Sequence, residues 1–331
     1  LYTKALNNML GRHTAFSNAS LPVSAKGVAP ASSRGASRGT KQQTKHTLSP
    51  ACSPWMGAQS PALCGAQIQH PSNTQTSARQ YSTISAMATS EKMTVAITGA
   101  TGLVGSRLAS KLASQGHTVR ALTRNPGSAR SKLPFPGVEV YGPADWARAI
   151  QGATGAVNLA GEPIATRWTQ EIKDQVKASR VRTTKTIVDY IAGTPEEQRP
   201  NVLVSSSAVG YYGTSQNASF SEDSQPGSDY LAEVCQEWEA AAKEAEGKTR
   251  TVILRIGIVL ASDGGALGKM LPVFQIFAGG PLGSGRQWMS WVHRDDLVEL
   301  IIESLQNPAY SGIYNATAPK PVRMSELCSS L

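Results

Sequence analysis

Two hydrophobic periods alternate between residues 94 and 256. Short, β-branched apolar runs at residues 94–98, 117–124, 138–141, 156–159, 202–205 and 252–256 read as strands. Between them, Leu103, Val104, Leu108 and Leu112 recur at helical spacing over residues 103–115, and Gly116 is placed to end that helix. Further helices are expected around Trp146, over residues 169–191 and over residues 230–243. Strands that alternate with helices of this length predict a parallel sheet built from βαβ crossovers. Beyond residue 261 the composition shifts to glycine-rich segments within residues 262–285, which read as a mobile lobe over the site. A GxxxxGK[ST] phosphate loop is excluded there, because Asp263 and Met270 break the pattern.

The first strand runs straight into glycines spaced GxxGxxG, in the stretch Val95-Ala-Ile-Thr-Gly-Ala-Thr-Gly-Leu-Val-Gly105. Gly99 permits a tight turn, Gly102 carries no side chain to block a pyrophosphate, and Gly105 lets the new helix approach the sheet. Phosphates are then expected at the helix N-terminus, against Thr101, Gly102, Leu103 and Val104, where unpaired N–H groups and the positive dipole end favour an anion. An acidic residue at the end of the second strand would hydrogen-bond a ribose 2′-hydroxyl, but Thr123 and Arg124 stand there. A guanidinium pairs with a 2′-phosphate, so NADP(H) is expected in preference to NAD(H); a solvated surface arginine is the alternative reading.

The net charge of +9 changes the picture only once it is located. Residues 1–90 contain eight Lys or Arg and no Asp or Glu, whereas the remainder holds 24 basic and 23 acidic residues. No basic face for nucleic acid is therefore expected on the folded part. The leader is rich in Ser, Thr, Ala, Gln and Pro and has the composition of an organelle transit peptide. Its serine content favours a plastid, with the stroma or the stromal side of the inner envelope as destination. The stretch Ala-Arg-Gln-Tyr-Ser-Thr at residues 78–83 also resembles a mitochondrial processing site. No apolar run has the length of a membrane span, which leaves peripheral association with the envelope compatible with the sequence. Cys52 and Cys64 fall in the leader; Cys235 and Cys328 have no metal-ligand or disulfide spacing, so no metal is expected. The domain organisation expected is a leader over 1–90, a dinucleotide-binding domain over 91–261, and a substrate lobe over 262–331 interleaved with the last elements of that domain.

The segments ITGATGLVG, Asn158-Leu-Ala-Gly161, Ser205-Ser-Ser-Ala-Val-Gly-Tyr-Tyr-Gly213 and Trp291-Val-His-Arg-Asp-Asp-Leu297 together resemble the extended short-chain dehydrogenase/reductases, over residues 93–331. Arg167-Trp168, the 229–238 segment and residues 279–285 narrow the resemblance to an atypical epimerase-family subgroup. It implies an α/β fold, a Rossmann doubly wound parallel sheet with a small C-terminal substrate lobe. It also implies NADP(H) as cofactor, Leu159 and Ala160 beneath the adenosine, and Arg180 as a second cofactor cation, for which a surface salt bridge is the alternative. The family continues beyond this chain, which opens at Leu1 without Met, so the resemblance implies a fragment at both ends. A plant plastid member of the subgroup is implicated in plastid division.

Ordinary members of that family use Ser, Tyr and a Lys four residues after the Tyr, whose ammonium lowers the phenol's pKa. Ser207 and Tyr230 fall where the Ser and Tyr belong, but residue 234 is Val. A tyrosine near pKa 10 is about 1% ionised at pH 8, so Tyr230 needs another cation, or Tyr211 or Tyr212 must substitute. Tyr230 also reads as a packed helix residue, and Ser205, Ser206 and Ser207 as strand-end hydrogen bonders. His293 reads as a helix N-cap and His117 as a solvated residue at a strand start. Two functions stay open: an NADP(H)-dependent oxidoreductase or epimerase-type enzyme of unknown substrate, and a catalytically weak NADP(H)-binding regulator, for example of plastid division.

Overall fold

The structure, a computed structural model, describes residues 91–331; the leader expected over residues 1–90 lies outside the described residues. Seven strands form one sheet: β1 (Thr94–Thr98), β2 (Thr118–Leu122), β3 (Val138–Tyr141), β4 (Gly155–Asn158), β5 (Val202–Ala208), β6 (Arg250–Ile256) and β10 (Gly312–Ala316). Their order is β10-β6-β5-β4-β1-β2-β3, and every neighbouring pair is parallel. The chain reverses direction across the sheet between β1 and β4, the switch point at which open α/β sheets hold their ligands.

Helices cover both faces, because residues alternate along each strand. On one side Val95 and Ile97 of β1 join Leu108 and Leu112 of α1 (Leu103–Ser114) and Leu297 and Ile301 of α7 (Arg294–Gln306). On the other side Ala96 of β1 and Leu203 of β5 join two further helices. These are α3 (Trp146–Ile150), which contributes Trp146 and Ile150, and α4 (Gln170–Gly193), which contributes Ile187 and Ile191. The remaining crossover helices are α2 (Pro126–Lys132) and α5 (Tyr230–Lys243).

Beyond β6 the chain builds two small sheets before and after it returns to the main one through β10. The strand β7 (Ile258–Ala261) runs parallel to β9 (Trp291–His293), and β8 (Trp288–Met289) runs antiparallel to β11 (Val322–Arg323). A separate apolar cluster of Met289, Met324 and Cys328 unites them with α6 (Gly265–Gln275) and α8 (Met324–Ser329). At the end of α6, Phe277 N–H donates to the Phe274 carbonyl at 2.9 Å and Ala278 N–H to that of Val273 at 3.1 Å, a helix stop that puts Phe277 at φ 56°. Glycine is the usual residue there; Phe277 is 99% exposed.

Element boundaries follow capping chemistry where the apolar pattern is silent. Thr169 is the N-cap of α4, its hydroxyl accepting from Ile172 N–H at 3.3 Å, so the helix starts one residue later than the pattern suggests. Gly116, at φ 84°, ends α1 as its position predicts. His293 is the N-cap of α7, with Nδ1 accepting from Asp295 N–H at 3.2 Å. His117 corrects the expectation of a solvated residue. It is 3% exposed, and its Nδ1 accepts from Met93 N–H at 3.1 Å, closing the entry to β1.

Candidate functional site

The glycine turn sits at the C-terminal end of β1. Gly102 N–H donates to the Gly99 carbonyl at 2.9 Å, and α1 begins with Gly102 as an N-cap that has no side chain to satisfy the first turn and no acidic residue in it. Gly99 has φ 70°, and any Cβ there would strike the carbonyl of Leu159 and the N–H of Ala160; a Cβ on Gly105 would strike the Gly99 carbonyl. Gly102 and Thr101 are exposed. Leu103 instead packs its side chain on Gly264 and Gly265, and Val104 packs on the main core. The first turn of α1 thus has backbone N–H groups that neither a side-chain cap nor an acidic residue meets, the arrangement that accepts an anion.

Residues 159–162, which leave β4, tie three expected positions together. Leu159 and Ala160 lie on Gly99, and Gly161 lies under the Arg180 guanidinium, whose Cζ would be 3.1 Å from a Cβ there. Arg180 Nη2 donates to the Glu162 carbonyl at 3.1 Å and Nη1 to Val176 O at 3.0 Å, while its Cζ lies 5.4 Å from the Trp238 ring centre. Burial lowers its pKa. Among the described residues Arg180 makes no ion pair, so its charge is met by carbonyls and an aromatic face rather than by a carboxylate. Arg124, 79% exposed, donates from Nη2 to Glu162 Oε1 at 2.8 Å, and the Thr123 hydroxyl accepts from Asn125 N–H at 3.2 Å, leaving its proton to donate.

Beneath this loop lies a buried polar knot. Asn158 Oδ1 accepts from Thr98 Oγ1 at 2.7 Å, its Nδ2 donates to Thr184 Oγ1 at 2.7 Å, and its carbonyl accepts from Ser206 Oγ at 2.8 Å. Trp238 Nε1 donates to the same Thr184 hydroxyl at 2.8 Å. These bonds join β1, β4, β5, α4 and α5 at the switch point and fix the loop in space.

The two expected proton-handling residues are engaged separately. Ser207 Oγ donates to Glu239 Oε1 at 2.7 Å, and Glu239 holds Arg255 through Oε1 to Nε at 2.8 Å and Oε2 to Nη2 at 2.9 Å, all buried. Arg255 Nη1 reaches Tyr212 OH and the Glu222 carbonyl, each at 2.9 Å, and its guanidinium lies 3.5 Å from the Tyr211 ring centre. Burial would lower the Arg255 pKa, but the hydrogen bonds and charge of Glu239 and Tyr212 outweigh it and raise it. Tyr230 OH donates to the Lys173 carbonyl at 2.5 Å, with the Lys173 ammonium 5.3 Å from the ring centre. Burial, reinforced by Asp174, raises the Tyr230 pKa against the opposing charges of Lys177 and Arg180. Val234 is 2% exposed, so an apolar side chain fills the core where a lysine would stand.

The model of the NAD dependent epimerase/dehydratase family matches residues 95–316. The chain belongs to this family. Epimerase family protein SDR39U1 homolog, chloroplastic, of Arabidopsis thaliana is 49% identical over 283 residues, covering 85% of this chain and 82% of the relative. Epimerase family protein SDR39U1 of Homo sapiens is 34% identical over 243 residues, covering 72% and 79%. The crystal structure of human SDR39U1 (isoform 2) with NADPH superposes with a TM-score of 0.65 at 33% identity, covering 72% of this chain and 78% of that one. The α/β fold with a Rossmann sheet is thus that of an NAD(P)-binding epimerase-family protein. Among the described residues no helix is long and apolar enough to cross a membrane.

Three residues of the site escaped the sequence pattern. Glu239 carried a usable signal: it lies four residues after Cys235 and beside Trp238, on the apolar stripe of α5, where an unpaired carboxylate would be costly. Arg255 interrupts an apolar strand and is its partner. Glu162 carried none, since its meeting with Arg124 spans 38 residues.

Proposed function

We propose that this epimerase/dehydratase-family chain binds NADP(H) along the C-terminal edge of β1, β4 and β5 and acts on a small molecule. The carrying observation is the uncapped first turn of α1 behind the exposed Thr101 and Gly102, with Gly99 packed on the 159–162 loop that Arg124 and Arg180 bind through Glu162. Gly99, Thr101, Gly102, Leu103, Val104 and Gly105 offer backbone donors and close approach to a pyrophosphate, Thr123 and Arg124 a site for the 2′-phosphate, Leu159 and Ala160 a floor for the adenosine, and Arg180 a compensating charge. The NADPH held by the human relative supports the same choice. A bound nicotinamide supplies hydride transfer. In the enzyme reading Ser207 and Tyr230 hold the reacting oxygen and its proton, which requires each to leave its present acceptor, Glu239 and the Lys173 carbonyl.

A second reading, an NADP(H)-binding regulator with little turnover, is favoured by one observation. Tyr230 has its proton committed to the Lys173 carbonyl, its pKa is raised, and buried Val234 replaces the activating lysine. At pH 8 no more than about 1% of such a phenol is ionised. Tyr230→Phe separates the two: loss of NADPH-dependent turnover supports the enzyme, and unchanged biological activity supports the regulator, plastid division being one such activity.

The cofactor reading is tested by titrating both cofactors. One charge-assisted pair to phosphate contributes about 1.5 to 3 kcal/mol, so NADPH should bind more tightly than NADH, and Arg124→Asp should cost NADPH about ten-fold or more relative to NADH and erase the preference. Equal dissociation constants in the parent protein refute it. A plastid destination is supported by the Arabidopsis relative, whose match covers more of the chain than residues 91–331 amount to. Residues 1–90 fused to a fluorescent reporter should carry it to plastids; mitochondrial or cytosolic fluorescence overturns that destination.

A further inference from the structure

Glu162 places a carboxylate on the guanidinium that the cofactor reading reserves for a 2′-phosphate, 2.8 Å from Arg124 Nη2. It is not there by the wandering of a long side chain alone. The residue's own N–H donates to Ser179 Oγ at 3.0 Å and its carbonyl accepts from Arg180 Nη2 at 3.1 Å, so α4 fixes its backbone and aims the side chain across the loop at the end of β2. Two anions on one exposed guanidinium repel. A ribose 2′-hydroxyl, by contrast, can donate to the same carboxylate.

We infer that Glu162 is a specificity-determining residue of the dinucleotide site, a counter-charge that holds back 2′-phosphorylated cofactors relative to 2′-hydroxyl ones. The inference rests on the proposed NADP(H) site. A phosphate must either displace the carboxylate from Arg124 or bind beside it against like charge. The cofactor preference is therefore set by three groups, Arg124 and Thr123 favouring the phosphate and Glu162 opposing it. Because Ser179 and Arg180 hold residue 162 through its main chain, shortening the side chain should leave the loop in place.

The test is calorimetric titration of the full chain and of its Glu162→Gln and Glu162→Ala variants with NADPH and NADH. Adenosine 2′,5′-bisphosphate and adenosine 5′-monophosphate serve as a pair that differs only by the 2′-phosphate. Both variants should bind NADPH and the bisphosphate about three- to ten-fold more tightly, the range an exposed ion pair with a like-charge contact supports. NADH and the monophosphate should stay within two-fold or weaken, and the gain should shrink in high salt. Unchanged or weaker NADPH binding overturns the inference, and so does an equal shift for both cofactors. A parent protein that binds neither cofactor overturns the dinucleotide site itself and this inference with it; one that binds NADPH yet ignores both variants overturns the role of Glu162 alone.

Discussion

Removing the Glu239 carboxylate should be among the most destabilising single changes in the chain. The carboxylate accepts three hydrogen bonds, from Ser207 Oγ and from Nε and Nη2 of Arg255, and the two charged side chains are 3% and 2% exposed. In Glu239→Ala the guanidinium keeps Tyr212 OH and the Glu222 carbonyl but loses the one carboxylate partner it has among the described residues, in a buried site. Stranding a buried charge in this way costs about 3 to 5 kcal/mol, a large share of the roughly 5 to 15 kcal/mol that a folded domain has in total. With a urea dependence of about 2 to 3 kcal/mol per molar, the unfolding midpoint should fall by about 1 to 2.5 M. Replacing both charges, as in Glu239→Leu with Arg255→Met, should recover most of the loss, because the desolvation cost of the pair disappears along with its attraction. A single variant that loses less than about 1 kcal/mol, or a double variant no better than the worse single one, refutes the view that the pair is coupled and dry.

Gly105→Ala drives a methyl into the Gly99 carbonyl, so it should cost about 1 to 3 kcal/mol in denaturant unfolding and abolish NADPH binding; intact binding would show that the turn can relax. Phe277→Gly relieves a left-handed backbone and exposes no core, so thermal unfolding should show a gain of about 0.5 to 1 kcal/mol, and a lower stability would reveal a packing role for that ring. His117 has its pKa lowered from 6.5 by burial, and its Nδ1 must stay unprotonated to accept from Met93. The unfolded chain therefore takes up this proton first, so stability is complete above about pH 6.5 and declines as pH falls below it. His117→Gln should flatten that part of the stability profile, and an unchanged slope would assign it to other groups.

The strands and helices of the nucleotide-binding half were legible because their signals are local. Leu108 and Leu112 repeat at helical spacing, Val95 and Ile97 alternate with Ala96, and the glycine turn needs residue types that have few substitutes. What was not legible depends on partners far along the chain. A histidine that opens a strand looks exposed until Met93, 24 residues earlier, lays its N–H across the ring. Arg124 read as a lone cation because Glu162 is 38 residues away, and Ser207 read as a waiting hydroxyl because Glu239 is 32 residues on. Glu239 escaped too, although its place on the apolar stripe of α5 was a signal that a carboxylate with a partner stands there. The Tyr230 hydroxyl gave no such hint, since its acceptor is a main-chain carbonyl that no side-chain pattern can encode.

The knot around Asn158 also sets the order in which this molecule can come together. β1 pairs with β4 residue by residue, Thr98 against Asn158, and β4 pairs with β5 as Asn158 against Ser205. A ribosome or a translocation pore delivers the chain from its N-terminus, so the glycine turn emerges early yet lacks its floor until another sixty residues have followed, and the knot is not closed until α5 brings Trp238. Such long loop closures make the central strands slow to assemble. A nascent β1–α1–β2 unit is thus left with an open strand edge and no dinucleotide pocket, so ligand cannot rescue it, and chaperone dependence should be greatest in the interval before residue 238 appears.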